Sequence, residues 1–299
     1  MSRFRRSLWL YPLFQIPLMF LVVCLIGATL FWLLGLGRPN VAVAVAVDMS
    51  NKTYQGQAFN APNTVMSQEL SAVRAYLDQN QQLKIKNDVQ LFGFGERTVP
   101  LTNSFTSDRQ KIESELNQSL ANPALPFQFG GAANLDVAID QTTKALSSQN
   151  RCRNLLLVTN SVSAVSPQTI SQAITQKVKI NAVVIGNDFS QILPATNATK
   201  GLFVPTDLLN IQSFLLDKFF IQVNTNIKWI ILWLGGAWIA LMWLLVLPLD
   251  KWVLQGLMNY PMNISGKYAL FNALFWSALT PIIVWQIWQI LGLPIFSAC

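Results

Sequence analysis

The sequence predicts an α/β protein, with a doubly wound, mostly parallel sheet between residues 39 and 225 and three transmembrane α-helices around it. Three observations predict it. Charge-free apolar runs of membrane-spanning length lie at 7–36, 229–249 and 268–293. Between the first two, short β-type runs alternate with amphipathic helical patterns, the order that gives a parallel sheet covered by helices on both faces. The excess charge also sits beside the apolar runs. The chain carries 21 Lys+Arg against 14 Asp+Glu, a formal +7. Residues 39–225 contribute only +1 of that, with 14 basic and 13 acidic side chains. A mean hydropathy of +0.37 with 12% charged residues agrees. The basic balance is a topology signal rather than a nucleic-acid patch.

The first run, 7–36, follows Arg3, Arg5 and Arg6. About 20 apolar residues cross a bilayer core. A signal peptide would share the basic start, but the run is longer than a usual h-region. Gly35-Leu36-Gly37-Arg38-Pro39 also offers no small-x-small cleavage site. The expectation is an uncleaved anchor. The positive-inside rule puts the N-terminus in the cytoplasm and residues 39–225 in the periplasm or an equivalent lumen. The chain thus divides into 1–38 (tail and first helix), 39–225 (outer domain), 226–250 (second helix), 251–267 (short cytoplasmic loop with Lys251 and Lys267) and 268–299 (third helix and C-terminus). A bacterial inner membrane and a thylakoid membrane satisfy this equally. No charge lies inside the three runs, whereas ion-coupled transporters usually need one.

Within the outer domain, Val41–Val47 alternates Val and Ala, as suits a strand buried on both faces. Residues 62–79 carry a helical pattern through Met66, Leu70, Val73 and Leu77. Residues 88–94 read as a strand with a short partner at 97–101. Residues 107–120 form an amphipathic helix capped by Ser107 or Asp108. Pro123 and Pro126 mark a loop. A helix follows at about 134–148, then a strand at 154–159. Pro167 opens a helix over 167–178, a first-turn position that suits it. A strand at 180–186, a short one at 202–204 and a helix at 207–222 capped by Thr206 complete the domain. Ligands of such sheets bind outside the carboxyl ends of the strands. The loops after Val47, before Leu135 and after Thr159 therefore form the candidate edge.

Several chemistries are excluded. With no histidine, neither a Ser-His-Asp nor a Cys-His arrangement can be built within the chain. The three cysteines are Cys24, Cys152 and Cys299, too few for an all-thiolate zinc site. Gly130-Gly131 lacks the following Gly-Lys-Ser/Thr of a phosphate loop. Asp136 and Asp140 share a helix face, which could pair carboxylates for acid–base work. A capped first turn favoured by the helix dipole is the stronger reading.

These residues resemble a von Willebrand factor A domain over about 40–222. Asp48-Met49-Ser50 resembles the start of the family's Asp-x-Ser-x-Ser loop. Phe92-Gly93-Phe94-Gly95 with Val99-Pro100-Leu101-Thr102 resembles its second strand and hairpin. Gly130-Gly131-Ala132-Ala133-Asn134-Leu135 resembles its Gly-Gly-Thr-Asn-Leu loop. Leu156-Leu157-Val158-Thr159-Asn160 and Val183-Val184-Ile185-Gly186 resemble the next two strand ends. The flanking helices resemble bacterial membrane-anchored members of the aerotolerance type, although one span before and two after is less usual there.

The resemblance implies a metal-ion-dependent adhesion site holding Mg2+ through two serines, a threonine and two aspartates. Asp48 and Ser50 match that pattern. Lys52 stands at the second serine, Ala133 at the threonine and Asn160 at the last aspartate. An ammonium at close range repels a divalent cation, so no metal or other cofactor is expected. Lys52 is expected to pair with Asp48 or otherwise to occupy the vacant cation site, the alternative being that it points into solvent. Thr53 would restore a hydroxyl if the loop register shifted, which keeps Mg2+ on Asp48 and Ser50 as the alternative. The expected binding edge is Asp48, Ser50, Lys52, Thr53, Ala133, Asn134, Asn160 and Ser161. The expected function is a non-enzymatic, membrane-anchored binding or scaffold protein for a membrane or periplasmic (lumenal) protein partner, without nucleic acid. The alternative is a structural or assembly subunit of a larger membrane complex, contacting it through its helices, with Gly235-Gly236 packing against neighbouring subunits.

Overall fold

The structure, a computed structural model, describes residues 11–54, 56–160, 163–186, 191–207 and 210–291. It has two compact units. Among the described residues, one is helical and takes 11–38 and 225–291; the other is α/β and takes those within 39–224.

In chain order, α1 (Pro12–Leu34) leads into β1 (Val41–Asp48), a short α2 (Asn51–Tyr54) and α3 (Val65–Gln81). Next come β2 (Asp88–Phe94), β3 (Thr98–Pro100), α4 (Arg109–Leu120), α5 (Leu125–Phe129), α6 (Leu135–Ser147) and β4 (Cys152–Thr159). Then follow α7 (Pro167–Thr175), β5 (Val178–Ile185), α8 (Leu193–Ala198) and β6 (Phe203–Thr206). A closing helix runs through α9 (Ile211–Ser213), a π-helical segment (Phe214–Phe219) and α10 (Phe220–Asn224).

The sheet order is β3-β2-β1-β4-β5-β6, parallel except for β3 at one edge. This is the doubly wound, mostly parallel sheet expected. The chain winds outward from β1 in both directions, so the carboxyl ends of β1 and β4 lie side by side, with Val47 opposite Val158. The Val/Ala alternation of β1 explains the layers. Val41, Val43, Val45 and Val47 enter one core with α3, α4 and the closing helix. Ala42, Ala44 and Ala46 enter the other with Leu135, Ala138 and Ile139 of α6. The small alanines let α6 lie close to the central strand.

The helix signals act as read. Asp108 Oδ1 accepts from the amides of Gln110 (3.0 Å) and Lys111 (3.3 Å), and Pro167 opens α7 behind a Ser166 cap. Thr206 is paired with Ile185 as the last residue of β6. The α9 segment has Asn210 at its N-cap. Three short helices, α2, α5 and α8, stand where the pattern suggested loops. Each has under two turns, too few for a periodic signal.

The helical unit contains α11 (Ile227–Leu244), α12 (Val246–Pro248), a second π-helical segment (Leu249–Leu257) and α13 (Met262–Ile290). Three helices are long and apolar enough to cross a membrane: Pro12–Leu34, Ile227–Leu257 and Met262–Ile290. The expected loop at 251–267 is mostly helical. Residues 249–257 continue the second span and 262–267 begin the third, leaving 258–261 as the connection. Apolar residues among the charges, such as Trp252 and Val253, sustain that winding. Gly235 and Gly236 make contacts within the chain. A Cβ on Gly235 would come within 2.9 Å of Val284 in α13, and one on Gly236 within 3.1 Å of Cys24 Sγ in α1. Asn226 Nδ2 donates to the carbonyls of Phe31 (2.7 Å) and Leu36 (2.8 Å), satisfying the end of α1.

Candidate functional site

The candidate site is the edge formed by the carboxyl ends of β1, β2 and β4. Asp48 ends β1 and is fully buried. Its Oδ1 accepts from the Ser50 amide (3.0 Å) and its Oδ2 from Thr159 Oγ1 (2.7 Å). Desolvation pushes the Asp48 carboxyl above its usual range, while these bonds and the Asn160 amide pull it back. Ser50 is also fully buried. Its hydroxyl makes no hydrogen bond of good geometry, although it lies close enough to Asp48 to favour the charged form.

Lys52 does not pair with Asp48. It is exposed on α2, and none of the ion pairs among the described residues includes it. The cause is local. α2 begins directly after Ser50, and Thr53 takes the inward position, buried, with its Oγ1 donating to the Ser50 carbonyl at 2.8 Å. Helical spacing then turns the neighbouring Lys52 outward. Thr53 Oγ1 is therefore committed to the backbone, and the register shift that would free it is not adopted.

The second loop is positioned by α5 and β2. A Cβ on Gly95 would stand 2.4 Å from the Phe129 carbonyl, which accepts from the Glu96 amide at 2.6 Å, so only glycine allows this approach. Tyr54, Phe59 and Phe129 form a line of ring contacts (5.6 and 6.3 Å between centroids) that ties the α2 loop to α5. Ala133 packs against the alanine-side core and offers no side-chain oxygen. Asn134 caps α6 through Val137 N (3.3 Å), and its own amide donates to the Gly95 carbonyl. Asn160 is half-buried, and its Oδ1 is enclosed without a hydrogen bond. Ser161 lies outside the described residues. Asp136 accepts from the Ser166 amide (2.8 Å), and Asp140 pairs with Lys144 one turn on (2.5 Å). Both thus have structural partners.

Two residues at this edge were not found from sequence. Thr159 was seen only as the end of a strand, yet it holds Asp48. Glu69 on α3 is fully buried, and neither carboxylate oxygen has a partner. Burial, and then the nearby Asp48 charge, push its carboxyl well above the usual range. The signal was its position three residues after Met66 and four before Val73, on the inward face of the helix. Among the described residues, no group of three or more His, Cys, Asp or Glu gathers as a metal cluster.

The chain matches no protein-family profile and no curated protein. Solved structures of similar fold include an aerotolerance-related membrane protein from Bacteroides fragilis, with 14% identity over 59% of this chain and 95% of that one, TM-score 0.44. BatB from Bacteroides thetaiotaomicron gives 14% identity over 59% and 96%, TM-score 0.45. The SpRpn10 VWA domain gives 17% over 57% and 93%, TM-score 0.44. These are likenesses of fold. The α/β unit has the six-stranded, mostly parallel sheet with a single antiparallel edge strand that the resemblance to von Willebrand factor A domains led us to expect.

Proposed function

We propose that this membrane protein is a binding or scaffold protein whose α/β unit grips a protein partner at the carboxyl-end edge of its sheet, without a bridging metal ion and without catalysis. The observation that carries the reading is the placement of Lys52, an exposed cation at the edge where the fold presents ligands. At the same edge, Asp48 is sealed and both its oxygens accept hydrogen bonds from the chain. The residues at the five positions do not fit a bridging divalent cation. One carboxylate remains where the family's pattern has two, Ala133 brings no oxygen, and Lys52 replaces a hydroxyl with like charge. A partner carboxylate meeting Lys52 directly would supply the attraction instead. The absence of histidine supports a role other than acid–base or nucleophilic catalysis.

On the same reading the α/β unit lies in the periplasm or an equivalent lumen, as Arg3, Arg5 and Arg6 indicate by the positive-inside rule. The partner is then a membrane or periplasmic protein. Crosslinking the full chain in mild detergent identifies the partner, and repeated capture of that partner tests the site. Capture should survive a chelator and fall by about tenfold in Lys52→Glu, the scale of one lost charged contact. Capture that needs Mg2+, or that is unchanged in Lys52→Glu, overturns the reading.

A further inference from the structure

The near-neutral total of the α/β unit hides a segregation of charge that the fold creates. All five parallel strands begin at one edge of the sheet. Lys84 and Lys86 precede β2, Lys177 and Lys179 flank the start of β5, and Lys200 precedes β6. Lys84, Lys86, Lys177 and Lys200 are exposed. Of the acids near this edge, two are in ion pairs and Asp108 caps α4. Asp88 is held by Arg151 at 2.9 Å and Asp78 by Arg109 at 2.5 Å. Among the described residues, Lys86, Lys177 and Lys200 have no ion-pair partner. The opposite edge carries Asp48, Glu96, Asp136 and Asp207 beside Lys52 and Arg97.

The chain enters and leaves the α/β unit at the basic edge. β1 starts there, six residues (35–40) after α1, a stretch that reaches at most about 20 Å when extended. At the other end of the unit, Phe219 and Phe220 pack on the Tyr76 ring, whose hydroxyl accepts from Asn87 Nδ2 (3.3 Å), the residue before β2. Asn224 then follows directly, three residues before the membrane-length helix at Ile227. Both connections therefore join the basic edge within a few residues of a membrane-length helix.

We propose that this edge rests on the membrane and binds anionic lipid headgroups through Lys86, Lys177 and Lys200. Attraction between surface lysines and an anionic bilayer acts within a Debye length, about 8 Å at physiological salt. The short tethers hold the edge near that range. The headgroup contact would keep the carboxyl-end edge pointing away from the bilayer. The inference does not rest on the partner-binding reading.

Amine acylation of the full chain in nanodiscs tests it, comparing phosphatidylcholine alone with an equal mixture of phosphatidylcholine and phosphatidylglycerol. With the anionic lipid, Lys86, Lys177 and Lys200 should react at least about threefold more slowly. The difference should vanish in molar salt, where the Debye length falls to about 3 Å. Lys52, on the opposite edge, should react equally in both membranes. Lysines that merely offset the carbonyl ends of α7 and α8 would show rates independent of lipid. That result, equal slowing of Lys52, or protection that persists in molar salt overturns the proposal.

Discussion

Glu69 is the side chain of the α/β unit whose environment least suits its charge. A carboxylate with no hydrogen bond, fully buried and near Asp48, is stable in the fold only when protonated. The sign follows from linkage. Its folded pKa lies above the unfolded value of about 4.3, so the folded state binds more protons and stability falls as pH rises. The loss begins near the unfolded pKa and continues until the raised folded pKa is passed. Thermal unfolding of the detergent-solubilised chain should therefore show the melting temperature of the α/β unit declining from mildly acidic to neutral pH. Glu69→Leu should remove most of that slope and stabilise the unit at neutral pH by on the order of 1 kcal/mol or more. A variant that keeps the slope, or melts lower at neutral pH, contradicts this account. The same residue shows how legible the site was. Asp48, Ser50 and the changed positions Lys52, Ala133 and Asn160 could be read from motif order. The outward turn of Lys52 could not, because it depends on α2 starting one residue after Ser50 and on Thr53 claiming the inward place.

At the scale of elements, packing decided what propensity left open. The Val/Ala alternation of β1 identified a buried central strand, and the structure shows that α6 packs on its alanine face. The glycines of the helical unit are a different case. Sequence offered Gly235-Gly236 as a surface for other subunits, whereas α1 and α13 of the same chain already lie against them. Gly27 is tighter than either, since a Cβ there would stand 2.7 Å from the Trp233 ring. Gly27→Leu should push α1 away from α11. Cys24, a free and buried thiol three residues away on α1, reports it. Its alkylation in detergent should speed by about tenfold or more, as expected when about 1.4 kcal/mol or more of packing is lost. An unchanged rate would mean that the α1–α11 contact absorbs the leucine. The short helices α2, α5 and α8 were missed for one reason: fewer than two turns leave no period to detect.

At the scale of the whole molecule, the α/β unit completes its own apolar cores on both faces of its sheet. Residues 39–224 expressed alone should therefore fold and melt cooperatively by circular dichroism. A broad, non-cooperative transition would show that the membrane helices are needed to complete the fold. The charge totals change meaning at this scale as well. A net of +1 over 39–225 describes a nearly neutral domain in sequence. The doubly wound sheet gathers lysines from three separate loops on one edge because every parallel strand starts there. By itself, the sequence determined the three apolar spans, the alternation of strands and helices, and which metal-site positions had changed. Each of these is written in local composition, period or motif. Only the tertiary structure decided that Lys52 faces solvent, that Glu69 lies buried near Asp48, that the Gly235-Gly236 pair is occupied within the chain, and that the basic residues share an edge. Those facts depend on which distant segments the sheet and the helix packing bring together, and no local pattern carries that information.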